Sequence, residues 1–197
     1  SLAREVLKKM KVILTINNET IKNLTNAGLT NAKLCGDTRY DQVKTIQDFD
    51  LFKVSKPCIL LGSSWEEEEK MVSSIYKEFP HVQFIIAPHD ISSNRITYIQ
   101  QLFNEESALL SNGNLDDLPT VLIIDKIGIL AELYSISDIA IIGGGFKNKL
   151  HNIIEPAAKG NYILFGPKHS RYPEASEMIN ANIADSFSNQ TELKTKI

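Results

Sequence analysis

The chain is poor in the features that mark several broad classes. Its 197 residues include two cysteines, Cys35 and Cys58. They show neither metal-ligand spacing nor the density of a disulfide framework, so reduced thiols of a cytosolic protein are expected. No apolar run approaches the roughly 18 residues a membrane span requires. The first residues also lack the charged-then-apolar pattern of a signal peptide. There is no excess of positive charge: the net charge is -3 and the pI about 5.8. That argues against a general nucleic-acid binder while leaving room for a local basic pocket. The G-x-G-x-x-G fingerprint, the Walker A loop, the G-x-S-x-G elbow and any cysteine–histidine metal cluster are all missing. No internal repeat or low-complexity tract appears. With 43% hydrophobic residues, one sizeable core is affordable, with part of a second. The start, Ser-Leu-Ala-Arg-Glu, reads as the middle of a helix, so a piece of a longer protein is expected.

What is present is organised around residues 143–160, Gly-Gly-Gly-Phe-Lys-Asn-Lys-Leu-His-Asn-Ile-Ile-Glu-Pro-Ala-Ala-Lys-Gly. The apolar run Ile139–Ile142 before it has the pattern of a buried parallel strand. Pro156 suits the first turn of a helix and Gly160 its end. The stretch therefore reads strand, glycine-rich loop, short helix, with Glu155 in the helix's first turn. In open α/β sheets, ligands sit beyond the carboxyl ends of the strands, where such loops lie. A plain βα turn with a dipole-stabilised acid would look the same.

From the start, Val12–Ile16 is a strand candidate, Glu19–Ala27 a helix stopped by Gly28, and Lys33–Cys35 a second short strand. The charged turn Gly36–Asp41 and the polar helix Gln42–Asp48 look like an interdomain linker. A stronger βα unit opens at Pro57, with the strand Cys58–Leu61. Ser64 and Glu67 have capping-box spacing, and Met71, Val72, Ile75, Tyr76 and Phe79 form the apolar helix face. The run Glu66–Glu69 is expected to be mostly a solvated face favoured by the helix dipole. Gly62, Ser63 and Ser64, a turn opening that helix, would offer N–H groups and hydroxyls to an anion. Val82–Ala87 is a strand ending at His89, Ser92–Phe103 a helix, and residues 111–117 a turn. The strand Val121–Ile124 leads into Asp125–Gly128 and a short helix, Ile129–Ser135. Tyr162–Phe165, Glu174–Ile179, Ile183–Phe187 and Gln190–Lys196 complete an alternation of strands and helices. The predicted fold is α/β, a Rossmann-like doubly wound parallel sheet. Its notable residues fall at successive strand ends, which suits one nucleotide spread along one edge.

Six motifs in order carry a resemblance. They are Gly-Asp-Thr-Arg-Tyr-Asp at 36–41, Gly-Ser-Ser-Trp-Glu-Glu-Glu-Glu at 62–69 and Val-Leu-Ile-Ile-Asp-Lys-Ile-Gly at 121–128. Ile-Gly-Gly-Gly-Phe at 142–146, His-Asn-Ile-Ile-Glu-Pro-Ala-Ala at 151–158 and Leu-Phe-Gly-Pro at 164–167 follow. From about Val12 onward the chain resembles the 3-deoxy-D-manno-octulosonic acid (Kdo) transferases of lipopolysaccharide inner-core assembly. Their two facing Rossmann-like domains form a GT-B type glycosyltransferase. The resemblance implies transfer of Kdo from CMP-Kdo to a lipid A precursor, with inversion, at the cytoplasmic face of the bacterial inner membrane. CMP-Kdo is then a substrate, and neither a cofactor nor a metal is implied. Residues 1–35 would end the acceptor domain, 36–56 would be the linker, and 57–197 the CMP-Kdo-binding domain. The catalytic base, a carboxylate of the acceptor half, would lie upstream of Ser1, leaving this chain inactive alone.

By the same resemblance, Glu155 would hold the ribose hydroxyls, and Lys126, Ile127 and Gly128 would meet the base through their backbone. Gly62, Ser63, Ser64 and His89 would face the phosphate, with Gly144, Gly145, His151 and Asn152 shaping or reaching it. Arg39 would contact the cleft on closure. The chain departs from the family pattern at Pro88-His89, where Pro-Arg-His is usual, and in the loop before His151, which lacks Gly-Gly. It departs again at Lys126 and Arg171, where threonine and asparagine are common. A UDP-sugar transferase or epimerase sharing the half-fold, and a Rossmann-like module without a ligand, remain alternatives. Cytidine against uridine preference, and any saturable nucleotide binding, separate them.

Overall fold

A computed structural model describes residues 2–43, 51–54, 57–112 and 117–197. The chain divides into two compact units, Ser1–Lys44 and Thr45–Ile197. The expected helix Gln42–Asp48 and the turn at 111–117 fall largely outside the described residues; a short 3₁₀ turn covers Tyr40–Gln42.

In the first unit, α1 (Leu2–Lys9), β1 (Ile13–Thr15), α2 (Asn18–Asn26) and β2 (Ala32–Leu34) follow in order, with β1 and β2 paired in parallel. Asn17 caps α2, its Oδ1 accepting from the Thr20 N–H at 2.8 Å. That satisfies one of the orphan donors every helix start leaves. Neither helix contains a fully buried residue.

The second unit is built on seven parallel strands. They are β3 (Cys58–Ser64), β4 (Gln83–Pro88), β5 (Ser107–Leu109), β6 (Val121–Ile123), β7 (Ile139–Ile142), β8 (Tyr162–Phe165) and β9 (Ala184–Ser186). Their spatial order is β5-β6-β4-β3-β7-β8-β9. The helices between them are α3 (Glu66–Ile75), α4 (Ser93–Phe103), α5 (Leu130–Leu133), α6 (Ile154–Ala158) and α7 (Pro173–Asn180), and α8 (Gln190–Lys196) follows the last strand. The strands are near-continuous apolar runs because both faces of the sheet are covered. On one face Ile59, Leu61, Phe84, Ile86, Ile123 and Ile141 pack with Val72 and Ile75 of α3, Ile96 and Ile99 of α4, and Leu193 of α8. Each such side chain contributes about 1.5–3 kcal/mol by leaving water, so this face carries much of the unit's stability.

The expected doubly wound parallel sheet is therefore present. The chain's direction of travel reverses at β3, which lies between β4 and β7. Such a switch point leaves a crevice at the carboxyl ends of the strands. The edge strand β5 had not been anticipated. It is only three residues long and half-buried, and it pairs with β6 alone.

Candidate functional site

The site begins with an irregularity in β3. Gly62 pairs with Ala87 and Ser64 with Pro88, so Ser63 between them is bulged out. Its φ is +50°, uncommon for a residue with a side chain. Bulges re-aim a side chain out of the sheet, and strained backbone gathers at functional sites. Here Ser63 lines a cleft of about 230 Å³ with Ala87, Pro88, His89, Ile91 and Lys126 among its neighbours. Gly62 and Gly143 are dictated by crowding. A Cβ at Gly62 would stand 2.3 Å from the Tyr134 hydroxyl, and one at Gly143 would stand 2.0 Å from the Ser63 carbonyl oxygen.

The strand continues to Ser64, so the expected glycine-serine turn opening a helix is corrected. Helix α3 starts at Glu66 with Trp65 as its N-cap. The expected Ser64–Glu67 capping box is displaced by one residue. Glu68 reaches back to the Trp65 N–H at 3.1 Å, while the indole has no acceptor to complete the box. Ser64 is buried and its hydroxyl donates to Glu69 Oε1 at 2.8 Å, so it faces the interior rather than a ligand.

The acidic run is likewise corrected: Glu68 and Glu69 are fully buried. The fourfold repetition hides two different environments, because at 3.6 residues per turn Glu68 and Glu69 fall on the inward side of the helix while Glu66 and Glu67 do not. Glu68 Oε1 accepts the Gly144 N–H at 2.9 Å, and burial pushes its carboxyl pKa up to about 7 against these backbone donors. Glu69 is paired with Arg95 of α4 and bonded to Ser64; burial still raises its pKa. The Gly144 N–H is therefore occupied, and the glycine's φ of +87° and the nearby Lys149 carbonyl leave no room for a side chain. Gly145 is packed against Gly166, where a Cβ would lie 2.4 Å from the Gly166 nitrogen. Both glycines are buried in the turn they make possible.

Three rings lie above this turn. Trp65 stacks on His89, with centroids 4.7 Å apart and planes 15° apart, and His89 lies 4.7 Å from His151. The indole Nε1–H donates to His151 Nε2 at 3.2 Å. Lys147 Nζ stands 4.8 Å over the Trp65 ring and 3.3 Å from Glu67 Oε2, an ion pair without hydrogen-bond geometry. His151 itself is held by its N–H to the Gly143 carbonyl at 3.1 Å. Burial first, and the neighbouring His89 second, hold its pKa below the ordinary imidazole value.

The structure thus gathers Ser63, His89, Lys126, Ile127 and Gly128 around one cleft. Lys126, Ile127 and Gly128 are exposed, Ile127 by 85%. His151 joins His89 through the ring cluster. Asn152 has a local duty: its Oδ1 accepts from the Ile154 N–H at 3.0 Å at the start of α6. Glu155 is half-buried in the first turn of α6, and its carboxylate makes no hydrogen bond or ion pair among the described residues. Its charge adds to burial in pushing the Tyr134 phenol's pKa up. Arg39 belongs to the first unit, where its Nε and Nη2 grip the Asp37 carboxylate. Trp65, Glu68, Glu69, Arg95, Tyr134 and Lys147 were not singled out from the sequence. Only the tryptophan directly after a strand's glycine-serine end offered a signal.

No family model matches the chain. A 3-deoxy-D-manno-octulosonic acid transferase of Aquifex aeolicus is 27% identical over 205 residues, covering 100% of this chain and 56% of that protein. The enzyme of the same name from Rickettsia conorii is 25% identical over 207 residues, covering 98% of this chain and 44% of its own. The chain thus spans about half the length of the curated relatives it matches. Among solved structures, the C-terminal CMP-Kdo binding domain of WaaA from Acinetobacter baumannii shares the fold. Its TM-score is 0.62 at 19% identity, covering 72% of this chain and 78% of that one. Across its whole length, then, the chain is a sequence relative of the 3-deoxy-D-manno-octulosonic acid transferases, which bears out the resemblance read from its ordered motifs.

Proposed function

We propose that the second unit binds the CMP moiety of CMP-Kdo at the carboxyl ends of β3, β4, β6 and β7, as the donor half of a Kdo transferase. The observation that carries this is the convergence of Ser63, His89 and Lys126–Gly128 on one cleft beside the sheet's switch point. Glu155, whose carboxylate has no hydrogen bond or ion pair among the described residues, opens the helix after the neighbouring strand. The division of labour follows from the chemistry. A ribose diol donates two hydrogen bonds, which an ionised carboxylate accepts. A pyrimidine needs an apolar slot with backbone groups at its edge, and Ile91, Ile124, Leu130 and the 126–128 turn line one.

The leaving group of the proposed reaction is CMP, which departs as an ionised phosphate and needs stabilised charge more than a proton. Ser63 and the histidine pair would meet that charge, with Lys147 adding a cation nearby. We further propose inversion at the transferred sugar without a metal, and a lipid A precursor as acceptor at the inner membrane's cytoplasmic face. Those features rest on the family resemblance. The base that activates the acceptor is proposed to come from outside these residues, so this chain alone would hold CMP without transferring Kdo.

Titration calorimetry of CMP and UMP into the chain tests the reading. CMP should bind more tightly than UMP. Equal affinities, or no heat at millimolar nucleotide, would favour the UDP-sugar or the ligand-free alternative.

A further inference from the structure

We propose that Trp65 is a positioning residue that fixes His151 in one neutral tautomer, so that the imidazole offers its Nδ1–H to a bound anion. The argument rests on donor and acceptor chemistry. An indole nitrogen donates only. Its partner atom, His151 Nε2, stands 3.2 Å from Trp65 Nε1 and so must carry a lone pair. In a neutral imidazole the proton then sits on Nδ1. That atom has no partner among the described residues and is not among the buried ones.

The indole is itself held in place. Glu68 bonds the Trp65 N–H and the Gly144 N–H at once, tying the start of α3 to the glycine turn. The same turn holds His151 through the Gly143 carbonyl. His89 stacks on the Trp65 ring with centroids 4.7 Å apart. Donor and acceptor therefore belong to one braced assembly spanning the ends of β3, β4 and β7.

The charged and titratable groups around His151 favour its neutral form. His89 faces it from the end of β4. Lys147, from the glycine turn, lies over the indole and is offset by Glu67 of α3. Glu68 is spent on backbone donors. Protonating His151 would place a proton on Nε2 and break the bond to Trp65. The indole thus keeps His151 a neutral donor at the pH where an exposed histidine becomes a cation. The nucleotide phosphate as recipient rests on the function proposed above, but the tautomer does not.

The test is nitrogen-15 NMR of the imidazole rings in the full chain, with and without CMP. The His151 ring should show a protonated Nδ1 and an unprotonated Nε2 before any nucleotide is added. Trp65→Phe keeps an aromatic ring against His89 and removes the N–H. In that variant the tautomer should revert toward Nε2–H, and the His151 midpoint should rise by about half a unit to one unit. CMP should bind roughly threefold to tenfold more weakly. An Nε2–H tautomer in the unsubstituted chain overturns the proposal, and that result needs no variant to fold. An unchanged midpoint in folded Trp65→Phe overturns it as well. The expected tautomer without any CMP binding would uphold the positioning role while sinking the nucleotide reading.

Discussion

Two helix openings follow the adjacent strands β3 and β7 at the switch point, and they use their polar groups in opposite ways. At the start of α3 the valences are closed internally. Glu68 accepts two backbone N–H groups, and Ser64 bonds Glu69, which pairs with Arg95. At the start of α6 Asn152 serves the helix, while Glu155 keeps a carboxylate without a hydrogen bond among the described residues. Acidic density is thus a poor guide to a binding role. Two acids of the four-acid run, Glu68 and Glu69, build the frame, and the acid at the start of α6 is the one proposed to meet a ligand.

The largest expected effect breaks the closed side. Glu69→Leu removes the acceptor of a partly buried guanidinium and a buried hydroxyl. Losing one partner of a fully buried ion pair costs about 3–5 kcal/mol, and because Arg95 keeps 18% of its side chain exposed the loss should lie at the lower end of that range. Urea unfolding should show a loss of that size. A loss under about 1 kcal/mol, the level of an exposed pair, would mean Arg95 finds water or another partner.

Next is the pH dependence tied to Glu68. Its folded pKa of about 7 lies above the ordinary value of 4.5. Between these values the folded state holds a proton that the unfolded state has lost, so stability falls as pH rises through the window. About 2.5 units at 1.36 kcal/mol each give roughly 3 kcal/mol. His151, with its pKa held below the ordinary 6.5, acts in the opposite direction below that pH. Comparing urea unfolding of the chain and of Glu68→Gln at pH 5 and pH 8 isolates the first term. The substitution should flatten the decline, and an equal decline in both proteins would assign it to other groups.

Much of this frame was legible because parallel strands buried on both faces are written as apolar runs. Ile139–Ile142 and Tyr162–Phe165 match the expected limits. Strand β3 ran past its expected end because Gly62, Ser63 and Ser64 look like a turn; only pairing with Ala87 and Pro88 shows the bulge. Which of four consecutive glutamates turn inward could not be read locally. The answer depends on Gly144, 76 residues away, and Arg95, 26 residues away. The Trp65–His151 bond spans 86 residues and left no local trace beyond the tryptophan. The glycines at 143–145 were read as a loop open to a ligand, but their closeness to neighbouring backbone explains them.

The open side gives the smallest effect on the fold and the sharpest one on binding. Glu155→Gln keeps the size of the side chain and removes the charge. Losing an acid from a helix start should cost about 0.3–1 kcal/mol of stability. Losing charge-assisted bonds to the ribose should cost about 1.5–3 kcal/mol of binding, or roughly tenfold to a hundredfold in Kd. Titrating CMP into both proteins, with a thermal melt alongside, is the most direct test of donor-nucleotide binding at this edge. A folded variant with CMP affinity reduced by that factor is the expected result. A folded variant that binds CMP as tightly as the unsubstituted chain would remove Glu155 from the site and contradict the account.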